Sequence, residues 1–193
     1  MTVTSSNYDR RENELYETEA WATEALLRYY PVTGLDVWEP AAGNHKMADV
    51  LREAGALVIT SDIATYSRQH TFPEWDFYRG VPNVPLDVSI AANIITNPPY
   101  GKGNREAVRF CELALERSPG MVAMLLTAKF DFGKTRLHLF RDNTRFRAKI
   151  NLVDRISWAG NGETGTEDHA WYVWGPETSQ RRPPIILYAG KAA

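Results

Sequence analysis

The 193-residue chain is 44% hydrophobic and 24% charged, with a formal net charge of -2, the ordinary balance of one globular domain able to bury a real core. Its one cysteine, Cys111, excludes a disulfide framework and a Cys-rich zinc site, and its histidines show no metal-ligand spacing, so no metal is expected. No apolar run is long enough to span a membrane and the polar N-terminus lacks a secretory signal, so a cytoplasmic protein with no membrane partner is expected.

Residues 1–13 are expected to form a flexible arm and residues 14–193 a single domain. YETEAWATEALLRYYP predicts a helix, with Trp21, Ala25, Leu26 and Tyr29 on one face and Pro31 after its end. LDVWEP predicts a short strand ending at Glu39. AAGNHKMADVLREAG predicts a turn and then a helix, because Met47, Val50, Leu51 and Ala54 fall on one face and Gly55 stops it. ALVITSDI predicts a strand ending at Asp62. A third strand region is expected before Asp76 and Phe77, and the strand NIIT then runs into Asn97. Asn104 is placed to cap the helix REAVRFCELALERS, with Val108, Cys111 and Leu115 inward. GMVAMLLTAKF is the most hydrophobic strand and is expected at the centre of the sheet. After a basic segment, NLVDRISW, HAWYVW and PIILYA predict three more strands. Strands separated by helices imply βαβ units, a mostly parallel sheet and helices on both faces.

In such sheets ligands bind beyond the carboxyl ends of the strands. Glu39, Asp62, Asp76 with Phe77, and the run from Asn97 to Tyr100 stand at those ends. EPAAGNHK offers a small-residue turn in which Gly43 permits close backbone approach. A dinucleotide site would need a second glycine where His45 stands, and Glu39 would repel a pyrophosphate. A cationic amine suits Glu39 better, and Asp62 is placed to take ribose hydroxyls. S-adenosylmethionine combines an amine, a ribose and an adenine with no phosphate; the alternative is that both acids merely end strands or cap helices. Asp76 can accept from the adenine amino group while Phe77 packs on its ring, or the two can be a turn aspartate and a core phenylalanine.

The tetrapeptide NPPY, residues 97–100, carries the sharpest chemistry. The Asn97 side-chain carbonyl and the Pro98 carbonyl can accept two hydrogen bonds, and neither proline offers an N–H that would compete. Tyr100 gives a flat ring for stacking. Two acceptors beside a stacking face match an exocyclic amine on an aromatic ring. Such an amine is a poor nucleophile until hydrogen bonds make its nitrogen more pyramidal and aim its lone pair. No nucleophilic cysteine is needed, and Cys111 reads as core.

With these residues together, the chain from about Glu14 to Trp174 resembles the class I S-adenosylmethionine-dependent methyltransferases. Within them it is similar to the DNA adenine-N6 methyltransferases, small phage- or prophage-type ones in particular. NPPY is the specific part; LYETEAWATEALL, VWEPAAGNHKMADVL, SDI and WDFY resemble the cofactor motifs that precede it, and DHAWYVWGP resembles a late strand-end motif near the target base. The resemblance implies an α/β, Rossmann-like three-layer sandwich: a mostly parallel seven-stranded sheet with helices on both faces and an antiparallel strand near the C-terminus. It implies that Asn97, Pro98, Pro99 and Tyr100 hold a flipped base. Tyr16, Thr18, Glu39, Ala41, Gly43, Asp62, Ile63, Asp76, Phe77 and Asn97 would line the cofactor site. Protection from restriction and regulation of a phage genome are equally compatible with this resemblance. Two residues depart from the pattern. Glu19 replaces a proline and is expected to change only local rigidity. His45 replaces a glycine and would crowd the methionine moiety unless its side chain points outward.

Methylating a base in duplex DNA requires flipping it, and hence phosphate contacts. The segment KFDFGKTRLHLFRDNTRFRAK supplies Lys129, Lys134, Arg136, Arg141, Arg145, Arg147 and Lys149 against Asp131 and Asp142; Lys102 adds a further cation. The same segment also reads as an amphipathic helix with Leu137, Leu139 and Phe140 on the core. The glycine-rich loop 159–168 is either a hairpin connection or a base reader. His169 and Trp171 could approach the base or pack in the core. RNA adenine, a cytosine amine and a protein glutamine amide are alternative substrates. A non-catalytic nucleic-acid or protein binding module is the alternative of another class; His45 favours it, and the intact NPPY opposes it.

Overall fold

The computed structural model describes residues 16–82, 92–158, 165–178 and 182–191. The arm expected over 1–13 and residues 159–164 of the glycine-rich loop lie outside the described residues. Three α-helices, α1 (Ala20–Leu27), α2 (Lys46–Glu53) and α3 (Arg105–Arg117), accompany seven strands. The strands are β1 (Asp36–Glu39), β2 (Leu57–Thr60), β3 (Asn93–Thr96), β4 (Val122–Thr127), β5 (Phe146–Leu152), β6 (His169–Trp174) and β7 (Ile185–Ala189). They form one sheet in the order β2-β1-β3-β4-β6-β5-β7, with β4 at its centre as its apolar sequence predicts. Every pairing is parallel except those of β6, which runs antiparallel to both β4 and β5.

Alternation along the strands divides the core in two. Trp38, Ile94, Val122, Met124, Leu126, Tyr172 and Trp174 face one side, where Ala107, Phe110, Cys111 and Ala114 of α3 cover them. Val37, Ile95, Ala123, Leu125, Ile150, Trp171 and Val173 face the other, under Ala22, Ala25 and Leu26 of α1 and Met47 and Leu51 of α2. The result is the three-layer α/β sandwich expected. No helix of the described residues is long and apolar enough to cross a membrane.

Five local expectations are corrected. α1 starts at Ala20 rather than Tyr16, because the chain is still extended at Glu19 (φ -60°, ψ 142°); Tyr29, past the helix end, is exposed. Among the described residues no third strand lies between Asp62 and Asp76. The chain instead makes a single bridge, Ser61 to Phe72, and a 3-10 turn over Phe77–Arg79 in which the Tyr78 N–H donates to the Asp76 side chain. Asn104 precedes α3 in a left-handed conformation (φ 62°), and its side chain makes no capping bond. The basic segment is not an α-helix, although Phe130, Leu139, Phe140 and Phe146 are buried. It makes two 3-10 turns, Phe130–Phe132 and Lys134–Arg136, and then enters β5 at Phe146, so the strand expected over NLVDRISW starts earlier and ends at Leu152.

Several cations of that segment are spent inside the protein. Arg145 is buried, and its guanidinium donates to the carbonyls of Gly175 (2.7 Å), Leu115 (2.7 Å) and Gly120 (2.8 Å). It joins the end of α3, the entrance to β4 and the exit of β6, and so is removed from the candidate phosphate contacts. Lys149 is buried too, donating to Ala128 O at 2.7 Å and to both Asp131 oxygens at 2.9 and 3.1 Å. Arg145→Ala would orphan three carbonyls and is expected to lower stability by about 3 kcal/mol, read as a shift of the urea midpoint. Arg141→Ala should leave that midpoint in place, because Arg141 is exposed and bonded to its neighbour Asp142.

Candidate active site

A cleft of about 410 Å³ opens at the carboxyl rim of the sheet. The ten residues expected from the sequence to hold a cofactor, from Tyr16 and Thr18 through Asp76 and Phe77 to Asn97, all line it. They are joined by Asn44, Lys46, Tyr78 and Phe110, which sequence reasoning missed. Phe110 is not among the inward positions predicted for α3, yet its ring stacks on Phe77 at 4.1 Å and the pair forms one wall.

The floor is the turn between β1 and α2. Gly43 adopts φ 49°, and its N–H donates to Asp62 Oδ2 at 2.9 Å, tying the turn to the end of β2. Burial raises the Asp62 carboxyl above its ordinary value, while the N–H groups of Gly43 and Ala64 oppose the shift. Residues 16–18 cross the mouth as a strap: Glu17 accepts from Asn44 at 3.0 Å and pairs with Lys46 at 2.9 Å. On the far side Asp76 Oδ1 accepts from Tyr78 N at 2.9 Å.

Two acceptors in this cleft are buried with no protein partner, Glu39 Oε2 and Asn97 Oδ1. Glu39 is only 2% exposed, and burial first, then the nearby Asp62, holds its pKa well above the usual carboxylate range; Arg52 opposes the shift. Asn97 Nδ2 donates to Tyr16 O at 3.4 Å, which leaves its carbonyl oxygen as the outward acceptor. Pro98 is buried and Pro99 lines the cleft. Tyr100 lies outside the cleft lining; its hydroxyl donates to Leu125 O at 3.1 Å, and its ring stands 6.2 Å from His169. Gly101 follows at φ 62°, where a Cβ would meet Glu106 Cγ at 2.6 Å.

His45 does not enter the cleft. In a left-handed conformation (φ 68°), it turns its ring away and bonds His70 through Nε2 at 2.9 Å. Burial, helped by His70, lowers its pKa to about 4, so it is neutral at neutral pH. The crowding expected from replacing a glycine is absent. His169 is buried at the start of β6, and burial lowers its pKa to about 4. Trp171 is fully buried with its indole N–H on Ala22 O, so it is a core residue; Trp158, half-buried, is the indole that packs on His169, at 5.0 Å. Of the candidate phosphate contacts, Lys102, Lys129 and Lys134 are exposed, and Arg136 lies over Phe130 and donates to Phe130 O and Gly103 O. The described residues hold no cluster of three or more His, Cys, Asp or Glu suited to a metal.

No protein-family model matches the sequence, and no curated protein matches it. Solved structures do. A candidate RNA methyltransferase of Pyrococcus horikoshii superposes with a TM-score of 0.66 at 18% identity, over 86% of this chain and 88% of that one. A type I restriction-modification methyltransferase subunit of Streptococcus thermophilus gives 0.64 at 10% identity, over 91% and 47%. A candidate class I S-adenosylmethionine-dependent methyltransferase of Listeria monocytogenes gives 0.56 at 12% identity, over 89% and 62%. The chain shares the fold of these structures. It spans about half the length of the type I subunit.

Glu39 supplies a test of the site that needs no ligand. Its folded-state pKa lies above the ordinary 4.5, so the folded protein resists ionising it and loses stability as pH rises through that range. Glu39→Gln should therefore raise the urea midpoint of the ligand-free protein at pH 8. The two proteins should converge as pH falls to about 3, where the carboxyl is protonated both folded and unfolded.

Proposed function

We propose that the chain transfers a methyl group from S-adenosylmethionine to the exocyclic amino group of adenine in DNA. The observation that carries this reading is the pair of buried acceptors without a protein partner, Glu39 Oε2 and Asn97 Oδ1, in one cleft. A buried acceptor left unpaired costs about 1–3 kcal/mol, and a ligand bearing amines relieves both. The donor set fits the cofactor: Glu39 takes the cationic amine, Asp62 the ribose hydroxyls, and Asp76 with Ile63, Phe77 and Phe110 the adenine. S-adenosylmethionine, when bound, supplies an electrophilic methyl group on a sulfonium, so the amine gains the methyl, a neutral thioether leaves and one proton is released to water.

The chain's own part is to prepare the amine. Tyr16 O holds the Asn97 amide so that Oδ1 faces outward. That oxygen and the Pro98 carbonyl accept the two amine hydrogens and stabilise the positive charge that develops on nitrogen. Tyr100, anchored through its hydroxyl, offers a fixed ring for the base. Lys102, Lys129 and Lys134 are exposed around the same rim, and the turn carrying Lys134 is tied to the turn carrying Lys102 through Arg136 and Gly103. These cations suit a phosphate backbone.

The deciding experiment is transfer of labelled methyl from S-adenosylmethionine into double-stranded DNA, single-stranded DNA and RNA in parallel, with products digested to nucleosides. Label on deoxyadenosine is the expected result. Label on adenosine alone moves the substrate to RNA, and label on neither overturns the reading. Asn97→Ala should lower transfer by roughly a thousandfold while cofactor affinity, measured by calorimetry, stays within about threefold. Asp62→Ala should weaken the cofactor first, by about tenfold or more.

A further inference from the structure

Glu19 does more than alter local rigidity. Its Oε2 accepts from Trp21 Nε1 at 3.0 Å and from the backbone N–H of Ser157 at 2.8 Å, a contact spanning 138 positions. The first bond fixes the carboxylate on α1; the second reaches the segment that leaves β5. The next residue, Trp158, packs edge-on against Tyr16 (6.0 Å, 69°) and against His169 (5.0 Å, 72°). His169 in turn stands 6.2 Å from Tyr100. The row of rings thus begins at the residue whose carbonyl holds Asn97 and ends at the ring three positions after Asn97. Beside Trp158 the backbone is held at Ile156, whose carbonyl accepts from Gly165 N–H at 3.0 Å, and at Ser157, whose N–H donates to Glu19.

We propose that Glu19 is a positioning residue, pinning the 156–158 segment so that Trp158 walls the slot that receives a flat, unpaired adenine beside Asn97. This rests on the reading of the site as a base methyltransferase. A carboxylate suits the task because it accepts two N–H groups at once and charge strengthens both bonds. Proline or alanine accepts none through its side chain, whereas glutamine keeps one oxygen with two acceptor positions.

The test labels the whole chain with 5-fluorotryptophan, assigns the Trp158 resonance by Trp158→Phe, and follows it by fluorine NMR. The demethylated cofactor product is present, with and without adenine-containing single-stranded DNA. Transfer kinetics are measured on the nucleic acid that accepts label. The DNA is expected to shift the Trp158 resonance. Glu19→Ala is expected to displace that resonance and to raise KM for nucleic acid about tenfold, with cofactor affinity within about threefold. Glu19→Gln should restore both readouts. Trp158→Ala, which leaves Glu19 in place, should reproduce the rise in KM, and the double variant should be no worse than either single one. An unmoved Trp158 resonance in Glu19→Ala, additive effects in the double variant, or loss of cofactor affinity in step with KM would overturn the proposal. Transfer without a DNA-induced shift sinks the slot and keeps the reaction. A shift without transfer sinks the reaction and keeps the slot.

Discussion

A sheet covered on both faces can offer polar side chains only at its rims. Here that constraint is nearly complete: residues of β4 and β6 alternate between two apolar layers, and neither face is left for chemistry. Ligand-binding groups are pushed to the carboxyl ends, where strands stop and the chain turns. β6 obeys the same rule from the other direction. Because it runs antiparallel, its first residue, His169, pairs with Thr127 at the end of β4 and so stands on the same rim. Residues as distant in sequence as Tyr16, Glu39, Asp62, Asn97 and Trp158 therefore gather in one neighbourhood.

Buried polar groups in this protein fall into two kinds. Arg145 and Lys149 are enclosed, and their donors meet carbonyls or the Asp131 carboxylate; they hold segments together. Glu39 and Asn97 each keep a buried oxygen that nothing in the protein meets. Such groups lower the stability of the ligand-free fold and raise what a suitable ligand gains by entering. Charge alone does not separate the two kinds; satisfaction does.

The strands and helices were largely legible because their apolar periods are clear, and the rim acids could be found by asking what stood at each strand end. Other features were hidden for definite reasons. A run of basic residues says nothing about which carbonyls from remote segments will collect Arg145. The direction of His45 depends on a left-handed backbone angle, not on its place in a motif. The start of α1 was misread because residues 16–19 have helical composition yet are held extended across the cleft. Glu19 and Ser157 meet across 138 positions, and no local pattern records such a contact.

The reversal at β6 has a consequence for how a chain like this can change. Every residue lining the cleft comes before the end of α3, whereas Trp158 and His169 flank the connection from β5 to β6, which leaves and rejoins the sheet at the same rim. That connection can be lengthened beyond Trp158 without altering the register of any strand. The cleft and the connection that borders it are thus encoded in separate stretches of the chain.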